Sequence, residues 1–305
     1  MTSFAGKVVL ITGAARGIGA DTARRLARRG ARLVLVGMEP ERLMALAAEL
    51  GDGHSWHHAD VTDQRALDAA VAAAVARHGG LDIVIANAGI ASLGTVAVAD
   101  VEALVRVLDV NLAGVLRTVK ATLPHIRARR GYYLLVSSAA AFSAMPGLSA
   151  YAASKAGVEQ FGNVLRLELL ADGVDVGTAH MTWIDTDMVR DATRDLSSFR
   201  RTLQRLPGPF GTVTSCDACA AAFEDACEGR RRRVFVPGSL RVASLLRPLL
   251  ASRLLQWLLR RDLTPMLHDG EREMAAVGRA FGEHSVGMGP DRGTIPVSSD
   301  TPSLS

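Results

Sequence analysis

The stretch Thr12-Gly13-Ala14-Ala15-Arg16-Gly17-Ile18-Gly19 decides the fold of this chain. It follows an apolar run of strand length, 7–12, and opens an Ala/Arg-rich helical pattern over 17–29. Glycines at such a strand-to-helix turn permit a tight reversal and close approach of the backbone to a ligand. The helix start adds unpaired N–H groups and the positive end of its dipole, which suits a pyrophosphate. A lone glycine pattern is often an ordinary turn; the strand–turn–helix context is what gives this one weight. It assigns Gly13, Ala15, Arg16, Gly17, Ile18 and Gly19 to a dinucleotide site.

Outward from this turn, short β-branched or Leu/Val-rich runs alternate with longer helical patterns. Strands are expected over 7–12, 32–36, 55–58, 82–86, 132–137, 174–180 and 233–236, and helices over 17–29, 41–50, 64–78, 101–129, 150–171 and 216–227. The alternation predicts an α/β fold: a Rossmann-type, doubly wound, parallel seven-stranded sheet in a single domain with a C-terminal helical extension. Ligands of such sheets lie beyond the carboxyl ends of the strands. Three turns there are therefore cofactor candidates: Gly37 and Met38 after the second strand, Asp60 and Val61 after the third, and Asn87, Ala88 and Gly89 after the fourth. Asp60 is placed to accept a hydrogen bond from an adenine amino group.

The catalytic unit is expected to occupy 1–237, including a polar 186–209 segment of the kind that covers active sites. An apolar and basic extension follows over 238–282. Its segment 240–261 is Leu-rich, interrupted by Pro248 and carries five arginines, so a membrane-spanning helix is not expected. Leu250, Leu254, Trp257 and Leu258 share one helical face, with Arg253 and Arg260 on another. Such a helix suits a pocket cover or subunit interface, with peripheral membrane contact through 249–261 as the less favoured use. Gly, Pro, Ser and Asp dominate 283–305, which predicts a disordered tail.

With 305 residues, 49% hydrophobic and a net charge of +4, the chain can bury a large core, and nothing implies nucleic-acid binding. Its start resembles neither a signal peptide nor a membrane span, so a cytoplasmic protein is expected. Cys216, Cys219 and Cys227 sit in an Ala-rich helical pattern and read as packing residues; His57 and His58 point to opposite faces of a strand. No metal site is expected.

Tyr151-Ala152-Ala153-Ser154-Lys155 places a tyrosine and a lysine four apart at a helix start, so both can meet on one face. A tyrosine near its free pKa of ~10 is a weak base at neutral pH, and a fixed ammonium nearby would favour the tyrosinate. Ser137-Ser138 closes the fifth strand at the same sheet edge. Together with the glycine-rich turn, these residues resemble the short-chain dehydrogenase/reductase family over about 4–237. In that family the serine lies thirteen positions before the tyrosine, which selects Ser138, and Asn111 in Asp109-Val110-Asn111-Leu112-Ala113-Gly114 matches its helix asparagine. The resemblance implies Tyr151 as general acid/base and Ser138 as the substrate-oxygen donor. Lys155 would tune the tyrosine and bind the nicotinamide ribose, and Asn111 would support a water relay. It implies Ile184 and Thr186 as carboxamide contacts, although Met181-Thr182 replaces the family's usual Pro-Gly. It also implies a homodimer or homotetramer.

The expected activity is NAD(P)-dependent interconversion of an alcohol and a carbonyl by hydride transfer, on a lipophilic substrate. A catalytically silent NAD(P)-binding interaction module is the main alternative, and an epimerase or dehydratase a second. NADP(H) is favoured over NAD(H), because Gly37 leaves the second strand without a ribose-binding carboxylate and Arg16 could pair with a 2′-phosphate. Against this, Met38 supplies no second cation and Glu39 could replace the missing ribose ligand.

Overall fold

A computed structural model describes residues 4–250 and 252–277. The strands are β1 (Val8–Thr12), β2 (Arg32–Gly37), β3 (Ser55–His58), β4 (Ile83–Ala86), β5 (Tyr132–Val136), β6 (Asp175–Met181), β7 (Trp183–Ile184), β8 (Val213–Thr214) and β9 (Arg233–Val236). Seven of them form one sheet in the order β3-β2-β1-β4-β5-β6-β9, parallel throughout, and β7 pairs with β8 in a small separate sheet. The expected strands are all present, with ends displaced by a residue at most. Order reverses between β1 and β4, which opens a crevice at their carboxyl ends.

Side-chain alternation feeds two cores. Val8, Leu10, Val34, Val36, Val84 and Tyr133 pack on one face, and Val9, Ile11, Leu33, Leu35, Ile85 and Tyr132 on the other. Both faces of the sheet are covered, so its central strands β1, β4 and β5 are almost wholly apolar and buried along their length. The helices are α1 (Gly17–Arg28), α2 (Pro40–Leu50), α3 (Gln64–His78), α4 (Val101–Leu108), α5 (Gly114–Arg129), α6 (Ser149–Glu168), α7 (Asp187–Asp195), α8 (Ser197–Arg205), α9 (Cys216–Glu228), α10 (Leu240–Leu245), α11 (Arg247–Leu250) and α12 (Arg253–Val277).

Three expectations need correction. The single helix expected over 101–129 is divided: Asp109–Ala113 is a π-helical turn between α4 and α5. Within the 186–209 segment, expected as a helix-loop insertion, helix dominates: two short helices, α7 and α8, fill most of it. The break in the extension precedes Pro248, which sits in the first turn of α11, where its missing N–H costs nothing. Trp257 is 69% exposed and so does not cover a pocket. The side chains of Leu254, Leu258 and Arg260 and the tail at 283–305 lie outside the described residues. Arg247 anchors the extension instead, donating to the buried Glu159 of α6 at 2.6 Å. Cys219 and Cys227 are buried in the core, whereas Cys216 is half-exposed. Among the described residues, no helix is long and apolar enough to cross a membrane.

The glycine-rich turn depends on α1, and α1 is clamped to α9 by charge. Glu224 of α9 is 8% exposed and accepts from both Arg25 and Arg29. Asp217 and Glu228 complete the cluster on the outside. Both arginines keep partial solvent contact, which reduces the Coulomb gain, but the carboxylate is buried and its hydrogen bonds are charge-assisted. Glu224→Ala is expected to lower stability by about 2 kcal/mol, read as a lower urea midpoint with unchanged slope. A change below about 0.5 kcal/mol would show that the clamp contributes no more than an ordinary surface pair.

Candidate active site

Thr12 and Asn87 join the carboxyl ends of β1 and β4. Thr12 Oγ1 accepts the backbone N–H groups of Asn87 and Ala88 at 3.1 and 3.2 Å, and Asn87 Nδ2 donates to the carbonyls of Thr12 and Gly13. This seam leaves no room for side chains at the turn. A Cβ on Gly13, whose φ is +64°, would stand 2.8 Å from Ala88 Cα, and one on Gly19 would collide with the Gly13 carbonyl oxygen. α1 then begins without a side-chain cap and without an acidic residue in its first turn, whereas α3 is capped by Asp63 and α9 by Ser215. Exposed N–H groups, a positive helix end and a glycine cradle fit the pyrophosphate of a dinucleotide.

The other cofactor candidates line the same cavity: Gly13, Ala15, Arg16, Gly17, Ile18, Gly37, Met38, Asp60, Val61, Asn87, Ala88, Gly89, Ile184 and Thr186. Gly19 shapes the turn from behind. Arg16 spans two carboxylates, with Nε 3.0 Å from Glu39 and Nη1 3.3 Å from Asp187. Arg42 approaches the second oxygen of Glu39 at 3.6 Å, and that oxygen makes no hydrogen bond. Asp60 is also occupied: it accepts from Thr62 N at 2.8 Å and pairs with Arg106 at 2.8 Å. Burial works to raise the Asp60 carboxyl, but these donors outweigh it and hold the group below its usual range. The Arg106 partnership has no sequence signal, because it joins residues far apart along the chain.

Ser138, Tyr151 and Lys155 converge on this cavity. Ser138 follows β5 in extended conformation; its hydroxyl donates to Met181 O at 3.2 Å, accepts from Ala140 N and pairs with the Tyr151 phenol. Behind it, the ring of buried His180 lies between Phe142 and Phe235, with Nδ1 3.3 Å from Ser138 O. Burial keeps that histidine below its usual pKa. Lys155 is 3% exposed and donates from Nζ to Val136 O at 2.9 Å, with its ammonium 5.5 Å from the Tyr151 ring centre. Burial lowers its pKa to about 8. Burial raises that of Tyr151, with the Ser138 hydrogen bond acting in the opposite direction.

Asn111 is fully buried in the π-helical turn. Its Oδ1 accepts Ile90 N at 2.8 Å, and its Nδ2 donates to Ile90 O and to Ser154 Oγ. A Cβ on Gly89 would lie 3.2 Å from Asn111 Oδ1 and 3.5 Å from Lys155 Nζ, so the strand-end glycine lets the amide and ammonium come close. π-turns within helices recur at functional sites. Met181-Thr182 leads directly into β7, with Thr182 N donating to Val236 O, and Ile184 and Thr186 still reach the cavity. Beyond the Ser138 and Tyr151 hydroxyls the cavity has several large apolar side chains in its wall. They include Leu148, Trp183, Leu196, Phe199 and, from α12, Met274. Met274 was not legible from the sequence, since α12 lies more than a hundred residues beyond the tyrosine.

A family model described as short chain dehydrogenase matches residues 7–197. The chain is 35% identical over 205 residues to a 3-alpha-(or 20-beta)-hydroxysteroid dehydrogenase of Mycobacterium tuberculosis, covering 67% of this chain and 78% of that protein. It is 35% identical to a trans-4-hydroxycyclohexanecarboxylate dehydrogenase of Sinomonas cyclohexanicum, covering 62% and 76% of the two chains. To a (-)-trans-carveol dehydrogenase of Rhodococcus erythropolis it is 38% identical, covering 63% and 76%.

The buried ammonium gives a stability signature. Lys155 titrates at about 8 when folded and near ~10.5 when unfolded, so between those values the unfolded chain binds more protons and stability rises with pH. Lys155→Met lacks this contribution. Without cofactor, the wild type is expected to gain about 3 kcal/mol relative to Lys155→Met between pH 7 and pH 10.5, in urea unfolding at each pH. Parallel pH profiles for the two proteins would show that the ammonium is not buried at a cost.

Proposed function

Given that this chain belongs to the short chain dehydrogenase family and is an NAD(P)-dependent oxidoreductase acting on CH–OH groups, we propose that it interconverts a lipophilic secondary alcohol and its ketone. One observation carries this reading: the Ser138 and Tyr151 hydroxyls lie together in a cavity whose lining also includes Leu93, Leu148, Trp183, Leu196, Phe199 and Met274. Three relatives are named for a hydroxysteroid, a hydroxycyclohexanecarboxylate and carveol, all ring alcohols, which supports a cyclic substrate here.

In the direction of ketone reduction, Ser138 and Tyr151 hold the carbonyl oxygen, and the Tyr151 phenol delivers the proton as charge develops there. The nicotinamide, when bound, supplies the hydride to the carbonyl carbon. Lys155 binds the nicotinamide ribose and provides the positive charge that steadies the tyrosinate left behind. Asn111 supports the return of a proton through water toward Lys155. The turn residues Gly13, Ala15, Gly17, Ile18 and Gly19 bind the pyrophosphate, and Arg16, Gly37 and Met38 border the adenosine ribose. Asp60 and Val61 contact adenine, Asn87, Ala88 and Gly89 border the nicotinamide ribose, and Ile184 and Thr186 contact the carboxamide. The catalytic unit is 1–237 with 186–209 as its substrate segment, followed by the apolar and basic extension 238–282, of which 278–282 lie outside the described residues.

NADP(H) is the proposed cofactor. Arg16 and Arg42 both border the ribose region, and no carboxylate stands at Gly37; Glu39 is the counter-charge that a 2′-phosphate must displace from Arg16. The homodimer or homotetramer that accompanies this reading has an exposed apolar surface in Val242, Leu245, Leu249 and Trp257. Peripheral membrane contact is the competing use of that surface, and a cytoplasmic location belongs to the same reading.

Tyr151→Phe is expected to reduce turnover by about 10²–10⁴-fold, followed by NAD(P)H absorbance with cyclic ketones, while cofactor affinity stays within about twofold. Undiminished turnover would remove Tyr151 from the proton-transfer role. Arg16→Ala is expected to weaken NADPH binding about tenfold or more and to leave NADH binding nearly unchanged in fluorescence titrations. A native preference for NADH would instead give the ribose hydroxyls to Glu39.

A further inference from the structure

The helix α12 lies beyond the segment matched by the family model, yet it reaches the substrate cavity, which Met274 and Val277 help to line. It touches both rims. On one side, Thr95 Oγ1 donates to Glu271 at 2.6 Å, and a Cβ on Gly94 would lie 3.7 Å from Met274 Cε. On the other, Glu273 accepts from Ser198 N at 2.9 Å, from Ser198 Oγ at 2.7 Å and from Ser197 Oγ, all in the first turn of α8. Arg201 of α8 approaches Asp269 and Glu273 at 3.6 and 3.7 Å, and Thr202 donates to Met266 Sδ at 2.9 Å. A carboxylate on the free N–H groups of a helix start is a favourable, directional tie. These contacts join the loop after β4 to α8.

Met274, 5% exposed, is the side chain this bridge buries over the cavity. We propose that α12 is a latched roof and that Met274 sets the upper size limit of the ketone or alcohol admitted, with Glu271 and Glu273 as positioning residues that hold it down. This rests on the oxidoreductase reading for its substrate class. Methionine is unbranched and adaptable, so the roof accommodates different ring systems up to that limit. Shape selection in an apolar pocket is worth about tenfold or more per methylene, so shortening this side chain has a readable effect.

The test uses the full chain saturated with cofactor and two probes, cyclohexanone and a tetracyclic steroid ketone. Binding is read by tryptophan fluorescence, since Trp183 lines the cavity, and kcat and KM are measured in parallel. Met274→Ala is expected to raise the affinity ratio of steroid to cyclohexanone about tenfold, and Met274→Trp to lower it, with cofactor affinity unchanged. Glu273→Gln, which loosens the latch without emptying the roof, is expected to shift the ratio in the direction of Met274→Ala through the steroid KM alone. It decides the question if the Met274 variants fail to fold. An unchanged ratio in folded, cofactor-binding variants overturns the roof, as does binding of neither ketone to native protein and variants alike. Ketone binding without hydride transfer would defeat the oxidoreductase reading, while the ratio would still decide the roof.

Discussion

The seam between Thr12 and Asn87 is the constraint on which the rest of the site depends. Two parallel strands whose connections leave in opposite directions must separate at their carboxyl ends, and this separation makes the crevice. It also leaves backbone groups without ladder partners. Thr12 and Asn87 satisfy four of those interactions with two side chains, which draws the end of β4 against the glycine turn. Gly13 and Gly19 are glycine because of that closeness, and the start of α1 faces the crevice because the turn has no other course.

On the other side of the crevice, the chemistry rests on a buried cation. Lys155 is surrounded by the Val136 carbonyl, the Asn111 amide region and the Tyr151 ring, and no described carboxylate forms an ion pair with it. Such a group is expensive to hold, and its lowered pKa expresses the expense. The π-turn at Asp109–Ala113 belongs to the same arrangement. It interrupts a helix to bring Asn111 against the Ile90 backbone, so a polar group reaches a depth where apolar packing would otherwise prevail.

The sheet was legible because both of its faces are buried, which makes its central strands short apolar runs separated by helical patterns and glycine turns. Tyr151 and Lys155 were legible because they share a helix face, whereas the strand end offered Ser137 and Ser138 alike and the family resemblance chose Ser138. The π-turn was hidden, since Val101–Leu108 and Gly114–Arg129 keep nearly continuous helical periodicity through it. Arg106 on Asp60 and Glu273 on Ser198 were also hidden, because long-range polar pairs leave no periodic trace. The approach of Lys155 to Tyr151 was anticipated from spacing alone, whereas the burial that raises the phenol leaves no trace in spacing.

The chain contains three tyrosines. Tyr132 and Tyr133 are fully buried in β5, with their hydroxyls committed to Arg231 O and Thr122, and burial raises both well above the ordinary phenol range. Tyr151 is the one whose ring borders an accessible cavity. Of the three phenols, Tyr151 is thus the one that a molecule entering the cavity can touch, while the other two belong to the interior of the sheet.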